Sequence, residues 1–137
     1  MERTFGMIKP DAVAKGYAGA ILAAIEEAGF KLVGFKKTRL TVPQAQAFYA
    51  VHRERPFYNG LVTFMTEGPV VAMVLEKENA IGEWRKLMGA TNPEKADAGT
   101  IRKKFAQDIE RNAVHGSDAP ETASIEIPFF FSAAELI

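Results

Sequence analysis

Cysteine is absent from the 137 residues, which removes both a disulfide framework and any thiolate metal site. Histidine is scarce, at two residues, so a structural zinc site lacks the ligands it needs. Net charge is also missing: 17 basic and 17 acidic residues cancel, with a pI near 6.7. That balance speaks against nonspecific binding to nucleic acid or to a membrane surface. The longest strongly apolar run, Val70 to Leu75, is far too short to span a bilayer. Met1-Glu2-Arg3-Thr4-Phe5 has none of the apolar character of a secretion signal, and a cytoplasmic protein is expected. No GxxxxGK[ST] loop, GxSxG elbow or protein-kinase motif set occurs, and Gly16-Tyr17-Ala18-Gly19 is not a dinucleotide fingerprint. The strand pattern of clustered basic and aromatic residues used by RNA-binding folds is missing too.

What is present is an ordinary globular composition, 47% apolar and 25% charged, in a length that predicts one domain over residues 1–137. Thr4 to Ile8 reads as a strand halted at Lys9-Pro10, which places Lys9 at a strand end. Ala18, Ile21, Leu22, Ile25 and Ala28 recur at helical spacing, with Gly29 as a C-terminal cap. Phe30 to Leu40 reads as a second strand, with Gly34 as a bulge. Thr41 caps a helix that begins near Pro43 and packs Ala45, Phe48 and Val51, leaving Tyr49 at one edge. A second helical piece, Phe57 to Thr66, follows the break at His52-Arg53-Glu54-Arg55-Pro56. Val70 to Glu76 is a continuous apolar run and predicts a central strand buried on both faces. Asn79 to Met88 is helical, with the single Trp84 placed in the core. Residues 89–111 lose regularity, Val114 sits in a short last strand, and Pro120 opens a final helix capped by Asp118 or Ala119. Ile125-Glu126-Ile127 alternates as a strand would, and Pro128 predicts a bend or a stop. The order of elements predicts an α+β, ferredoxin-like split βαβ sandwich. Its four-stranded antiparallel sheet carries helices on it and a long loop before the last strand.

The stretch Asn112-Ala113-Val114-His115-Gly116-Ser117-Asp118 gathers hydrogen-bonding side chains around an imidazole. Gly116 leaves the backbone uncrowded, and Ser117 with Asp118 reads as a helix start, where free N–H groups favour anions. A neutral imidazole is a competent nucleophile near pH 7, so His115 suits work on phosphate; a structural histidine in a turn has the same local sequence. From Arg85 to Arg111, seven basic residues stand against four acidic ones. Such a segment suits a compact polyanion such as the phosphates of a nucleotide, although solvated charged faces look alike.

The seven residues from Asn112 to Asp118 resemble the active-site signature of nucleoside diphosphate kinases. The likeness runs on through Thr4-Phe5-Gly6-Met7-Ile8-Lys9-Pro10-Asp11, Tyr49, His52, Arg55-Pro56-Phe57, Leu61 and Gly68-Pro69-Val70-Val71. Met88-Gly89-Ala90-Thr91-Asn92-Pro93, Gly99-Thr100-Ile101-Arg102 and Glu126 complete it.

The resemblance implies transfer of a γ-phosphoryl group from a nucleoside triphosphate, typically ATP, to a nucleoside diphosphate, in ping-pong fashion through a phosphohistidine at His115. It implies that Glu126 holds the other ring nitrogen, that Ser117 supports this pair and that Tyr49 lines the pocket. Arg85, Thr91 and Arg102 take the phosphates, while Lys9 and Asn112 grip the sugar, with Lys9 also near the transferred phosphate. Phe57 stacks on the base and Ile109 stands on its opposite face. Mg²⁺ bridges the phosphates, with Asp118 as its protein contact. The resemblance further implies a homo-oligomer, a tetramer being favoured over a hexamer by likeness to the bacterial members. His52 reads as a satisfied structural histidine. Two other readings compete. A nucleotide sensor without chemistry would lack His115 or Arg102, and a nucleic-acid module would carry net positive charge and exposed strand aromatics.

Overall fold

The computed structural model describes residues 1–137. Four strands form one antiparallel sheet in the order β2-β3-β1-β4: β1 is Glu2–Ile8, β2 Lys31–Thr38, β3 Val70–Lys77 and β4 Val114–Gly116. The helices are α1 (Pro10–Ala14), α2 (Ala18–Glu27), α3 (Val42–Phe48), α4 (Tyr58–Met65), α5 (Ala80–Met88), α6 (Ile101–Phe105) and α7 (Pro120–Phe130). This is the α+β, ferredoxin-like arrangement expected from the order of elements. No helix is long and apolar enough to cross a membrane.

The unbroken apolar run of β3 is explained by helices on both faces of the sheet. Successive side chains of a strand point to opposite sides. Val71, Met73 and Leu75 enter one core with Ile21 and Ile25 of α2 and Trp84 and Met88 of α5. Val70, Ala72 and Val74 enter the other, with Ala45 of α3, Phe64 and Met65 of α4, and Phe131 after α7. Each fully buried aliphatic or methionine side chain contributes about 1.5–3 kcal/mol of transfer free energy, so the two central strands anchor whatever the outer ones carry.

Local chemistry sets the element ends. Thr41 and Gln44 form a reciprocal capping box that starts α3. A register shift between Leu32 and Gly34 in the β2–β3 pairing is the bulge foreseen at Gly34. Several local expectations are corrected. Pro10 ends β1 but also opens α1, because a proline at the first helical position loses no intrahelical bond. Val51 is 86% exposed rather than packed: α3 ends at Phe48, and a one-turn 3₁₀ segment, Ala50–His52, turns the valine outwards. The loop after α5 is more regular than expected, with a 3₁₀ turn at Pro93–Lys95 and α6, which Thr100 caps by accepting from the Lys103 N–H.

At α7 the N-cap residue is Ala119, whose N–H donates to the Thr122 hydroxyl (2.9 Å), so neither Ser117 nor Asp118 starts the helix. Ile125 to Ile127 is helical, not a strand, and the helix runs on through Pro128 for two more residues. Pro128 itself lies on the exposed side of the helix.

Leu75→Ala is expected to lower the unfolding free energy by about 2–5 kcal/mol. Urea denaturation checks this, and a loss below about 0.5 kcal/mol, the scale of an exposed site, would contradict burial between two layers.

Candidate active site

His115 is the middle residue of β4, opposite Met7 in the β1 pairing. Alternation along the strand sends its side chain to the Met7 face, among Phe5 (ring centroids 5.9 Å), Phe48 (5.5 Å) and Tyr49 (6.5 Å). The other face of β4 rests on α5. A Cβ on Gly116 would lie 2.6 Å from Nε1 and Cδ1 of Trp84, so only glycine lets the indole seat there. The indole N–H donates to the His115 carbonyl (3.3 Å). Trp84 is therefore core, as its spacing predicts, and also the floor beneath the histidine.

His115 Nε2 lies 3.1 Å from Glu126 Oε1, and the Ser117 hydroxyl donates to the same oxygen at 2.7 Å. A carboxylate can only accept, so Nε2 carries the proton and the lone pair of Nδ1 is left free. Pro128, two residues beyond Glu126, does not pull the carboxylate away from the histidine. Tyr49 is buried with its hydroxyl unpartnered in the protein, and burial together with the Glu126 charge pushes its pKa up. It stays a neutral phenol with a donor to spare.

The cleft above these groups has a volume of about 860 Å³. Its walls bring five cationic side chains, Lys9, Arg85, Lys86, Lys95 and Arg102, against three carboxylates, Asp97, Asp118 and Glu126. Arg102 is fixed: its guanidinium donates to the carbonyls of Gly89 and Val114, both at 3.0 Å. Burial, then the nearby Arg85, lower its pKa to about 10, so it remains a cation at neutral pH. Gly89, at φ +86°, lets the chain turn so closely past Thr100 that a Cβ would lie 2.5 Å from that hydroxyl oxygen. Lys9 is more strongly affected. Burial, then Arg102, bring its pKa down to about 8, and its ammonium donates to Asn112 Oδ1 at 2.8 Å.

Of the residues singled out from the sequence, Lys9, Tyr49, Phe57, Arg85, Thr91, Arg102, His115, Asp118 and Glu126 line this one cleft. Ser117 lies buried behind the wall, holding Glu126. Asn112 is also behind the wall, its amide engaged by Lys9 and by the Ile109 carbonyl, with one N–H remaining. Ile109 is 56% exposed and stands outside the lining residues. Asp118 is paired with Arg85 at the mouth. His52 is corrected: it is a half-buried wall residue with its ring against Phe57 (5.4 Å), not a satisfied structural histidine. Phe48, Lys95 and Thr100 also line the cleft and were missed. Lys95 had a signal, its place in the cationic segment, whereas Phe48 looked like any helix-core aromatic.

No group of three or more His, Asp or Glu side chains could cage a metal ion. The oxygen donor set at the mouth, the side chain of Asp118 at 79% exposure, suits a hydrated hard cation that arrives on phosphates and needs at most one protein ligand.

The family model for nucleoside diphosphate kinase matches residues 2–136. A nucleoside diphosphate kinase of Geobacter sp. (strain M21) is 63% identical over 137 residues, all of both chains. That of Maricaulis maris (strain MCS10) is 62% identical over all of this chain and 98% of its own length. Among solved structures, the Aquifex aeolicus nucleoside diphosphate kinase superposes with a TM-score of 0.97 at 47% identity, covering 99% of each chain. A halophilic enzyme of the same name from Halobacterium salinarum, in complex with CDP, gives 0.95 at 44% identity, over 99% of this chain and 91% of its own.

Gly116→Ala is expected to cost about 1–3 kcal/mol through overpacking against Trp84 and Met88. An unchanged urea midpoint would show that the indole does not press on β4.

Proposed function

The chain belongs to the nucleoside diphosphate kinase family and is a phosphotransferase acting between nucleotides, and we propose that it works through a phosphohistidine at His115. The observation that carries the proposal is the pair of bonds at Glu126 Oε1, which commits Nε2 and leaves Nδ1 without a partner on a histidine that lines the cationic cleft; Nδ1 is therefore the proposed nucleophile. Nδ1 attacks the γ-phosphorus in line, the N–P bond forms as the bond to the β,γ-bridging oxygen breaks, and the nucleoside diphosphate leaves. A second diphosphate then takes the phosphoryl group back from Nδ1 by the reverse step. Nε2 keeps its proton throughout, and Glu126 offsets the positive charge that the ring gains on phosphorylation.

The surrounding residues take the roles that their positions allow. Arg102, Arg85 and Thr91 hold phosphate oxygens, and Tyr49 offers its unpartnered hydroxyl to the group in transit. Lys9 bridges sugar and transferred phosphate, with Asn112 beneath it supplying its remaining N–H. Phe57, half exposed at the lip, stacks on the base, which admits purines and pyrimidines alike. Ile109, exposed and outside the lining residues, is assigned to the base's other side by family likeness alone. The CDP held by the Halobacterium salinarum relative supports a pyrimidine nucleotide as one ligand of this chain. Asp118 would hold the water shell of Mg²⁺, which supplies neutralisation of phosphate charge when bound. The protein serves the cytoplasmic NTP and dNTP pools as a single domain in a homo-oligomer, a tetramer rather than a hexamer. The outer edge of β2, where the Ile137 N–H donates to the Val33 carbonyl, and the half-exposed Phe35 support assembly.

Incubation with γ-labelled ATP and no acceptor is expected to leave acid-labile, base-stable label on the protein, discharged by any nucleoside diphosphate. Retention of exchange by His115→Ala would overturn the proposal. Glu126→Gln is expected to reduce turnover with little change in nucleotide binding, and unchanged turnover would remove Glu126 from the site.

Lys9 adds a pH dependence. Its pKa near 8 lies below the ordinary lysine value, so above pH 8 the free site holds a neutral amine, and pairing with phosphate requires proton uptake. Nucleotide affinity is expected to fall by up to about tenfold per unit as pH rises above 8, and to lose that fall in Lys9→Met. Equilibrium binding from pH 7 to 9.5 checks this; a flat wild-type profile would contradict it.

A further inference from the structure

Asp11 is a buried carboxylate whose charge favours the Lys9 ammonium, and it also reaches the one turn that feeds β4. Ala113 is fully buried at φ +73°. The Val114 N–H donates to the Asn112 carbonyl two residues back (2.8 Å), closing a γ-turn of the positive-φ kind, which an alanine adopts only under strain. Both backbone polar groups of Ala113 are tied to the start of α1. Its N–H donates to Asp11 Oδ2 (3.1 Å), and its carbonyl accepts the Lys9 N–H (2.8 Å). The Lys9 ammonium closes the ring by donating to Asn112 Oδ1. Asp11 Oδ1 meanwhile is buried with no partner. A strained turn and a half-satisfied buried carboxylate each carry a cost, and such costs persist where the surroundings over-determine the geometry.

We infer that Asp11 is a positioning residue for the phosphoryl transfer: it holds Ala113 in the γ-turn, which sets Asn112 under Lys9 and aims the three-residue strand that carries His115. The mechanism is geometric. β4 is too short to fix its own direction, and the residue before it stands in a conformation that the chain leaves unless both of its polar groups are held. Glycine reaches positive φ without strain. Ala113→Gly therefore needs no carboxylate to keep the turn.

The inference rests on the phosphohistidine reading, and single-turnover phosphorylation by γ-labelled ATP separates the two. Wild-type protein that takes no label overturns both. With wild type labelled to one phosphate per chain, Asp11→Ala is expected to reach similar labelling with a rate constant about tenfold lower, the scale of one lost charge-assisted hydrogen bond. Asp11→Asn, which keeps an acceptor oxygen, is expected to fall between the two and carries the test if the alanine variant does not fold. Ala113→Gly alone is expected within about twofold of wild type, because relief of the positive-φ strain offsets the loss of one buried methyl group. The double variant Asp11→Ala/Ala113→Gly is expected to recover most of the lost rate, a non-additivity that only a shared geometry produces. An unchanged rate constant in both Asp11 variants overturns the inference, as does a loss confined to the labelled fraction at wild-type rate. A double variant no faster than Asp11→Ala overturns it too.

Discussion

The site depends on one carboxylate oxygen. Glu126 Oε1 receives both the His115 ring N–H and the Ser117 hydroxyl, and this sharing joins α7 to β4. Without it the imidazole could rotate or change tautomer, and the nitrogen offered to a substrate would be undefined. Several features of the fold converge on this contact. The two cores fix β1 and β3, β1 pairs with β4, and Trp84 presses on Gly116 from the other face. Thr122 starts α7 so that Glu126, two turns into the helix, arrives over the strand. The histidine is thus oriented by elements far apart in sequence, each stabilised for reasons of its own.

Charge is arranged around His115 at some expense. Arg102 is buried with Nε unpartnered, and Lys9 is buried so deeply that its pKa falls to about 8. Removing cations from water is unfavourable unless an anion later joins them. In the free protein the guanidinium leans on two backbone carbonyls and the ammonium on one amide oxygen, neutral acceptors that compensate only in part. Asp11 and Asp118 supply part of the counter-charge, and a bound polyphosphate would add the rest, so that the cost of burying these cations would return as affinity. The same logic explains why Asp118 and Arg85 pair at the mouth, where exposure keeps the ion pair weak and easily parted.

Much of this was legible in the sequence wherever the signal is local. The continuous run at Val70–Leu75 meant a strand covered on both faces, the spacing from Ala18 to Ala28 meant a helix, and Gly34 meant a bulge. Ordered single groups, from Lys9 through Arg102 to Glu126, marked a site through family resemblance rather than through any one motif. What stayed hidden is what pairs across the chain. Pro10 in its local sequence reads only as a strand stop, since nothing nearby distinguishes that from a helix start. Ser117 and Asp118 looked like caps because their residue types are those of caps, yet a partner nine residues on claims the serine and a partner on α5 claims the aspartate. The link between Asp11 and Ala113 spans 102 residues and depends on a backbone angle that no composition or period reveals. The second role of Trp84 was equally invisible, because its spacing accounts for it fully as core.

The central claim is that Glu126 holds Nε2 and thereby assigns the chemistry to Nδ1. Phosphorus NMR of the protein, phosphorylated by ATP and examined under alkaline denaturing conditions, distinguishes the two phosphohistidine isomers. Phosphate bound at Nδ1 of His115 is the expected result. Phosphate at Nε2 would mean that the carboxylate does not hold that nitrogen during catalysis, and would contradict the account.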